Sequence, residues 1–291
     1  MKAPAFSYAR PISLAEVMSL MTEHGEEARL LAGGQTLHAT LNMRLSEPSI
    51  LIDLQAVNEL KGIERVGDVL RIGAMVTHTE IETSALVKKH LPLLSAAVPH
   101  IAHRAIRNLG TFGGSIAYGD PAAEWPACLL ALDGVVVAVG PRGERRIKAH
   151  DFFTGLYSTD LQEDELILAC ELPLRTGAHA FAFDELARRH GDYAVVGLAA
   201  TASTNANATG LHEVRLAWLG TVSQPYRSTK TEALLEGQVL SDALITQAMQ
   251  CLKDEMLTDA DLTHSAAAKS HLAGVMLKRA LHTLNQTATV A

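Results

Sequence analysis

Two glycine pairs about 80 residues apart, Gly33-Gly34 and Gly113-Gly114, constrain this chain more than any other feature of its sequence. The first lies in LLAGGQTL, where the apolar run Leu30-Leu31-Ala32 enters the pair and polar Gln35 and Thr36 follow. The second lies in TFGGSIAYGD, Thr111 to Asp120, after the basic and apolar HRAIRNLG, which reads as a strand-like lead-in. Glycine has no Cβ, so such a pair can take positive φ and let a ligand pack onto the peptide plane, with several N–H groups converging on one point. That point suits a phosphate, and two such loops could hold one diphosphate between them. Each pair taken alone reads more readily as a tight turn than as a ligand loop. Neither fits GxGxxG or the Walker loop with its lysine, so the generic nucleotide fingerprints are absent.

A phosphate ligand would have to be met mainly by backbone amides, because the formal net charge is −7 over 291 residues. The same charge argues against nucleic acid or an anionic membrane as partner. At 48% hydrophobic residues the chain can build a real core, and its length allows one large domain or two to three small ones. Cys128, Cys170 and Cys251 are scattered through apolar patterns, form no CxxC pair and are expected buried and reduced. Three scattered thiols cannot ligate an iron–sulfur cluster, which takes four. Lys2, Pro4, Ser7 and Arg10 interrupt any signal-like apolar segment at the N-terminus, and no apolar run approaches the roughly 20 residues that span a bilayer, so the cytoplasm is expected.

In chain order, Ser13 with Glu16 gives a capping-box pattern for a helix that Gly25 stops, and ARLLA and ILIDL read as strands. GIERV and VLRIG around Gly67-Asp68 form a hairpin signal that opens a second domain. Thr77 with Glu80 repeats the capping box, and Pro99 should kink or end the helical stretch that follows. His100 and His103 have a metal-like spacing but no third ligand. Asp120-Pro121 reads as an N-cap with proline first in the helix PAAEWPACLLAL, and VVVAVG, RRIKA and ELILACELPL read as strands. Beyond Pro173, AHAFAFDELARR, YAVVGLAATAST and LHEVRLAWLGTVS read as three strands, the third after an NANATG turn, and helices follow at KTEALLEG, SDALITQAMQCLKDEM and HSAAAKSHLAGVMLKRALHTL. Helices on one face of an antiparallel sheet make this last part an α+β unit.

AGGQT, IRNLGTFGGSIAYGDPAAEWPA and GDYAVVG together resemble the FAD-binding subunits of bacterial molybdenum hydroxylases, a family that includes carbon monoxide dehydrogenase medium chains and the flavin domain of xanthine dehydrogenase. The likeness runs from about Phe6 to the HLAGVMLKRAL helix. It implies an α+β fold of the VAO/PCMH type: FAD-binding lobes over 1–57 and 58–176, and over 177–291 a C-terminal domain with a three-stranded antiparallel sheet and helices. It also implies non-covalent FAD on Leu31, Ala32, Gly33, Gly34, Gln35, Thr36 and Leu37 from the first loop. From the second come Leu109, Thr111, Gly113, Gly114, Ser115, Ala117 and Asp120, with Ile101 and Ala102 approaching by their backbone. Leu161 would lie near the isoalloxazine ring and Tyr193 against it, while Asp120 would accept from the ribityl chain or only cap its helix. Gln35 stands where some relatives have histidine, Thr36 where they have serine, and Glu185 where the carbon monoxide enzyme carries a basic residue.

The function implied is electron transfer. Electrons would leave a substrate at molybdopterin in a large subunit, cross iron–sulfur clusters in a small one and reduce FAD here, in a dimer of heterotrimers with no nucleic acid and no membrane span. Two alternatives stay open at this point: a stand-alone flavin oxidase or reductase on the same fold, and an assembly subunit whose glycine loops are only turns.

Overall fold

A computed structural model describes residues 2–175, 179–203 and 210–290. The expected boundary at 176–177 and most of the NANATG turn lie outside the described residues.

The first unit is a small parallel sheet of three strands. β1 (Ser7–Ala9), α1 (Leu14–His24), β2 (Ala28–Leu31), α2 (Leu37–Asn42) and β3 (Ile50–Asp53) follow one another, and the strand order is β1-β3-β2. Every residue of the central strand β3 is buried, which is why ILID is an unbroken run of apolar residues closed by an aspartate. Asp53 accepts a hydrogen bond from the Tyr8 hydroxyl and another from Gln55 N, so its burial leaves it satisfied. Ser13 caps α1 through Glu16 N at 3.3 Å. The carboxylate of Glu16 accepts from Ile12 N, not Ser13 N, so the capping box is shifted by one residue.

The second unit is a five-stranded antiparallel sheet with helices inserted in its middle. It comprises β4 (Ile63–Val66), β5 (Val69–Gly73), α3 (His78–Thr83), α4 (Ala85–His90), α5 (Pro92–Ala97), α6 (Arg104–Arg107), α7 (Phe112–Tyr118) and α8 (Glu124–Ala131). Then come β6 (Val135–Gly140), β7 (Gly143–Lys148), α9 (Ala149–Phe152), the hairpin β8 (Phe153–Gly155) and β9 (Ser158–Thr159), and β10 (Leu166–Pro173). The strand order is β4-β5-β10-β6-β7. Val136 and Ala138 face the core shared with α5 and α8, while Val137, Leu166 and Leu168 face the core shared with the first unit. Both faces are covered, so VVVAV shows no alternation of polar and apolar residues.

Two local expectations fail here. HRAIRNLG is not strand-like: it contains α6, and Gly113 and Gly114 lie in the first turn of α7, capped by Thr111 Oγ1, which accepts from Gly114 N at 3.1 Å. Asp120 does not cap a helix that begins at Pro121. Its Oδ1 accepts from Ala122 N at 2.9 Å in a turn, and α8 starts at Glu124. Pro126 then falls in the first turn of α8, where its missing N–H costs nothing.

The third unit packs helices on one face of an antiparallel sheet. β11 (His179–Ala187), β12 (Ala194–Ser203) and β13 (His212–Leu219) are joined by a two-residue strand β14 (Tyr226–Arg227), so the sheet has four strands where three were expected. α10 (Thr229–Leu235), α11 (Asp242–Glu255) and α12 (Ala266–Val290) cover the face carrying Ala180, Ala182, Val196 and Leu198. The other face, with Phe181, Phe183 and Ala199, packs on α5 and α8 of the second unit.

Candidate functional site

The glycine pairs sit at close backbone contacts, one of them, at Gly33, across the seam between the first two units. A Cβ on Gly33 would stand 2.0 Å from the Leu109 carbonyl oxygen, and one on Gly113 would stand 2.6 Å from Ala74 Cα. One on Gly114 would meet Thr111 Oγ1 at 2.7 Å. Three of the four positions are therefore glycine because protein packs against them, and the expectation that the second pair takes positive φ is wrong: only Gly34 does, at +72°. Gly191 repeats the device from the third unit, since at φ +85° its Cβ would lie 2.9 Å from the Ala102 carbonyl oxygen.

Between these contacts lies a cavity of about 1280 Å³, walled by all three units. That is above the usual range for small-molecule sites, roughly 300–1,000 Å³, and suits a long ligand. On its wall are Ala32, Gly33, Gly34, Gln35, Thr36, Leu37, Ile101, Ala102, Thr111, Gly113, Gly114, Ser115, Ala117, Asp120, Leu161 and Tyr193. Leu31 and Leu109 are not on it: Leu31 is in the core, and Leu109 serves through the carbonyl that meets Gly33.

The two loops offer a ligand different chemistry. In the second, Phe112 N donates to Val76 O, Gly113 N to Ala74 O, Gly114 N to Thr111 Oγ1 and Ser115 N to Thr111 O. Its amides are spent inside the protein, which corrects the idea that they converge on a ligand, and shape and the Ser115 hydroxyl remain. In the first, the N–H groups of Gly33, Gly34, Gln35, Thr36 and Leu37 have no hydrogen-bond partner among the described residues, and all five residues line the cavity. Unpaired donors at a concave surface fit an anion, and a diphosphate in particular, without a lysine.

Ala102 takes φ +43°, rare for a residue with a side chain, and is held there from behind. The buried Arg107 donates to the carbonyls of Ile101 at 3.0 Å and Ala102 at 3.2 Å and pairs with Glu82 at 3.3 Å. This clamp fixes the segment on the cavity wall. An arginine inside the apolar run AIRNLG is the one sequence signal for this clamp.

His78 also lines the cavity and was missed. Trp125 Nε1 donates to its Nδ1 at 2.9 Å, which leaves the remaining proton on Nε2, and burial with the nearby Arg107 charge pushes the imidazole down to about 4. His78 is thus a neutral ring with a fixed tautomer. Tyr193 lines the cavity and is 67% exposed, while the surrounding protein partly desolvates its phenol. That desolvation, ahead of the Asp120 charge, pushes the phenol up to about 12. It is uncharged at neutral pH and presents a ring face.

His100 and His103 turn to aromatic neighbours: His100 packs on Phe183 at 5.1 Å and His103 on His190 at 6.5 Å between ring centroids.

Residues 4–175 match the family described as the FAD binding domain in molybdopterin dehydrogenase, and residues 181–284 match the CO dehydrogenase flavoprotein C-terminal domain. The chain belongs to the FAD-binding subunits of the molybdenum hydroxylases. Similar chains include the nicotine 6-hydroxylase medium subunit of Paenarthrobacter nicotinovorans, 40% identical over 97% of this chain and 98% of that one. Among solved structures, the carbon monoxide dehydrogenase of Hydrogenophaga pseudoflava superposes with a TM-score of 0.95 at 33% identity, covering 99% of both chains. Quinoline 2-oxidoreductase of Pseudomonas putida 86 superposes at 0.93 with 35% identity, again over 99% of both. The medium subunit described here is an FAD-binding component of an oxidoreductase, with the fold that the resemblance implied. A four-stranded C-terminal sheet replaces the three-stranded one.

Proposed function

We propose that this medium subunit holds FAD non-covalently along the cavity, with Gly33 to Leu37 donating their amides to the diphosphate and Tyr193, Ile101, Ala102 and Leu161 bordering the ring. In this reading Asp120 accepts from the ribityl hydroxyls, and the chain divides into lobes over 1–57 and 58–176 and a C-terminal domain over 177–291. The subunit passes electrons from the iron–sulfur clusters of a small subunit to a terminal acceptor. A large molybdopterin subunit oxidises the substrate, in a dimer of heterotrimers in the cytoplasm. The observation that carries the proposal is the row of five unpaired N–H groups on a cavity that all three units wall.

Bound FAD would supply reversible two-electron acceptance with release in single steps. The chain's own residues do the rest. Amide donors replace the water around a diphosphate, each charge-assisted bond contributing roughly 1.5–3 kcal/mol. Arg107 keeps the Ile101–Ala102 backbone against the cavity, and neutral His78 lines it without adding charge. Relatives named for nicotine, caffeine and carbon monoxide oxidation share this subunit, consistent with substrate choice in another chain.

The test is reconstitution. The purified chain should be yellow with one FAD per chain, inert alone towards heterocycles, aldehydes and carbon monoxide, and its flavin should bleach when a reduced small subunit is added. A chain that takes up no flavin would overturn the proposal, and one that oxidises such a substrate unaided would favour a stand-alone oxidase.

A further inference from the structure

Next to the Tyr193 end of the cavity stands a basic rim that the reading above leaves unused. Arg104 opens α6 after its N-cap His103, and Arg188, Arg189 and His190 lie in the turn between β11 and β12. The two segments belong to different units and meet directly. The imidazoles of His103 and His190 stack with centroids 6.5 Å apart and planes 18° apart. One residue on, Gly191 comes so close that a Cβ there would lie 2.9 Å from the Ala102 carbonyl oxygen and 2.9 Å from His103 Cε1. Asp192 N donates to Arg189 O at 3.1 Å and closes the turn. Packed backbone on both sides therefore sets where the arginines stand.

His103, Arg104, Arg188, Arg189 and His190 are all exposed, and none of them lines the cavity, whereas their neighbours Ala102, Gly191, Asp192 and Tyr193 do. Carboxylates on adjoining elements are engaged elsewhere: Glu82 of α3 pairs with Arg107 at 3.3 Å, and Asp184 of β11 meets Arg279 of α12 at 3.3 Å. Among the described residues, no carboxylate pairs with Arg104, Arg188 or Arg189. Asp192 is the acidic residue of the turn, against three guanidinium groups. On a chain of net charge −7 this is a local reversal of sign beside the cavity. Arginine forks match carboxylates and phosphates alike. A small phosphate ligand needs a recess where donors converge, whereas these side chains stand outside the recess and exposed, as a surface that meets another surface.

We propose that this rim docks the terminal electron acceptor, and that the acceptor is a small electron-carrier protein with an acidic face around its redox centre. This rests on the reading of the cavity as the FAD site. Opposite charges steer such a carrier to the cavity mouth, and a small, weak interface lets it leave once reduced. Each encounter moves one electron to the carrier's metal centre. Two carriers thus take the two electrons held by one reduced FAD, and the protons of the flavin go to solvent.

The experiment compares two oxidised probes, an acidic blue-copper protein and a basic c-type cytochrome, mixed by stopped flow with the purified, dithionite-reduced complex that contains this subunit. The wild type should reduce the acidic probe faster at low salt than at about 0.5 M salt, by about tenfold or more, and the basic probe should show no such gain. Arg104→Gln, Arg188→Gln and Arg189→Gln combined should slow the acidic probe about tenfold at low salt and little at high salt. Flavin content and melting temperature should stay as in the wild type, because the three side chains lie off the cavity wall and outside the core. Equal salt dependence for both probes, or equal rates in wild type and variant with flavin bound in each, would overturn the proposal. Loss of the iron–sulfur subunit from the variant complex would also overturn it, by making the rim an assembly contact. So would flavin oxidation by NAD that the variant abolishes, by making the rim a site for the phosphates of a dinucleotide. A wild-type complex without flavin would remove the reading beneath it instead.

Discussion

Gly33 faces the carbonyl of Leu109 across the seam between two units, with no room for one methyl group. Gly33→Ala must push the loops apart or strain the backbone, at a cost of roughly 1–3 kcal/mol. The variant should melt several degrees lower and bind FAD at least tenfold more weakly, read by calorimetry and flavin titration. Gly113 behaves the same way, because its missing side chain makes room for Ala74. A larger residue there strikes the fold first and the ligand second. Tyr193 is a different case, since it stands open to the cavity with an uncharged phenol. Tyr193→Ala should weaken FAD by about tenfold, in keeping with about 0.5–1.5 kcal/mol for an aromatic contact, whereas Tyr193→Phe should lose little. Equal damage in both variants would show that the hydroxyl matters.

The helix α3 begins with a reciprocal cap: Glu80 N donates to Thr77 Oγ1 at 3.2 Å, and Thr77 N donates to the Glu80 carboxylate at 2.7 Å. The same turn is tied to the second glycine loop by His78 N donating to Gly110 O at 2.9 Å. Thr77→Ala should cost about 1 kcal/mol, lowering the melting temperature by a few degrees, and Thr77→Ser should restore most of it. Elements of this kind were legible in the sequence because their signals are local: Thr77 and Glu80 three apart, Gly25 after α1, apolar runs at β3, β6 and β10. What could not be read depends on distant partners. Nothing in TFGGS announces a helix, since glycine is a poor helix former. Gly113 and Gly114 fit α7 because Ala74 and Thr111, set by other elements, leave no space for side chains. β14 is two residues long and exists only because β13 is there to pair with. The first-loop residues are legible as cavity candidates because AGGQT is contiguous, whereas Arg107 and His78 carry little local signal because their contacts come from other elements.

Between the second and third units, Asp133 accepts from Arg215 at 3.0 Å and Arg227 at 2.9 Å, with Arg175 at 3.9 Å. Without this carboxylate three guanidinium groups would face one another across the seam. Asp133→Asn should destabilise the chain by about 1 kcal/mol at low salt and by less at about 1 M salt, where screening is strong. Denaturant unfolding at the two salt concentrations measures it. Whole-molecule stability is thus partly electrostatic at this seam and steric at the glycine contacts.

The cavity owes its walls to three units, so the row of free amides can face the remaining walls only in the docked arrangement. On the proposed placement FAD would bind the assembled chain and not its separated pieces, and each tenfold rise in free flavin above its dissociation constant would add about 1.4 kcal/mol to the assembled form. A shortage of free flavin would then lower the population of the assembled chain.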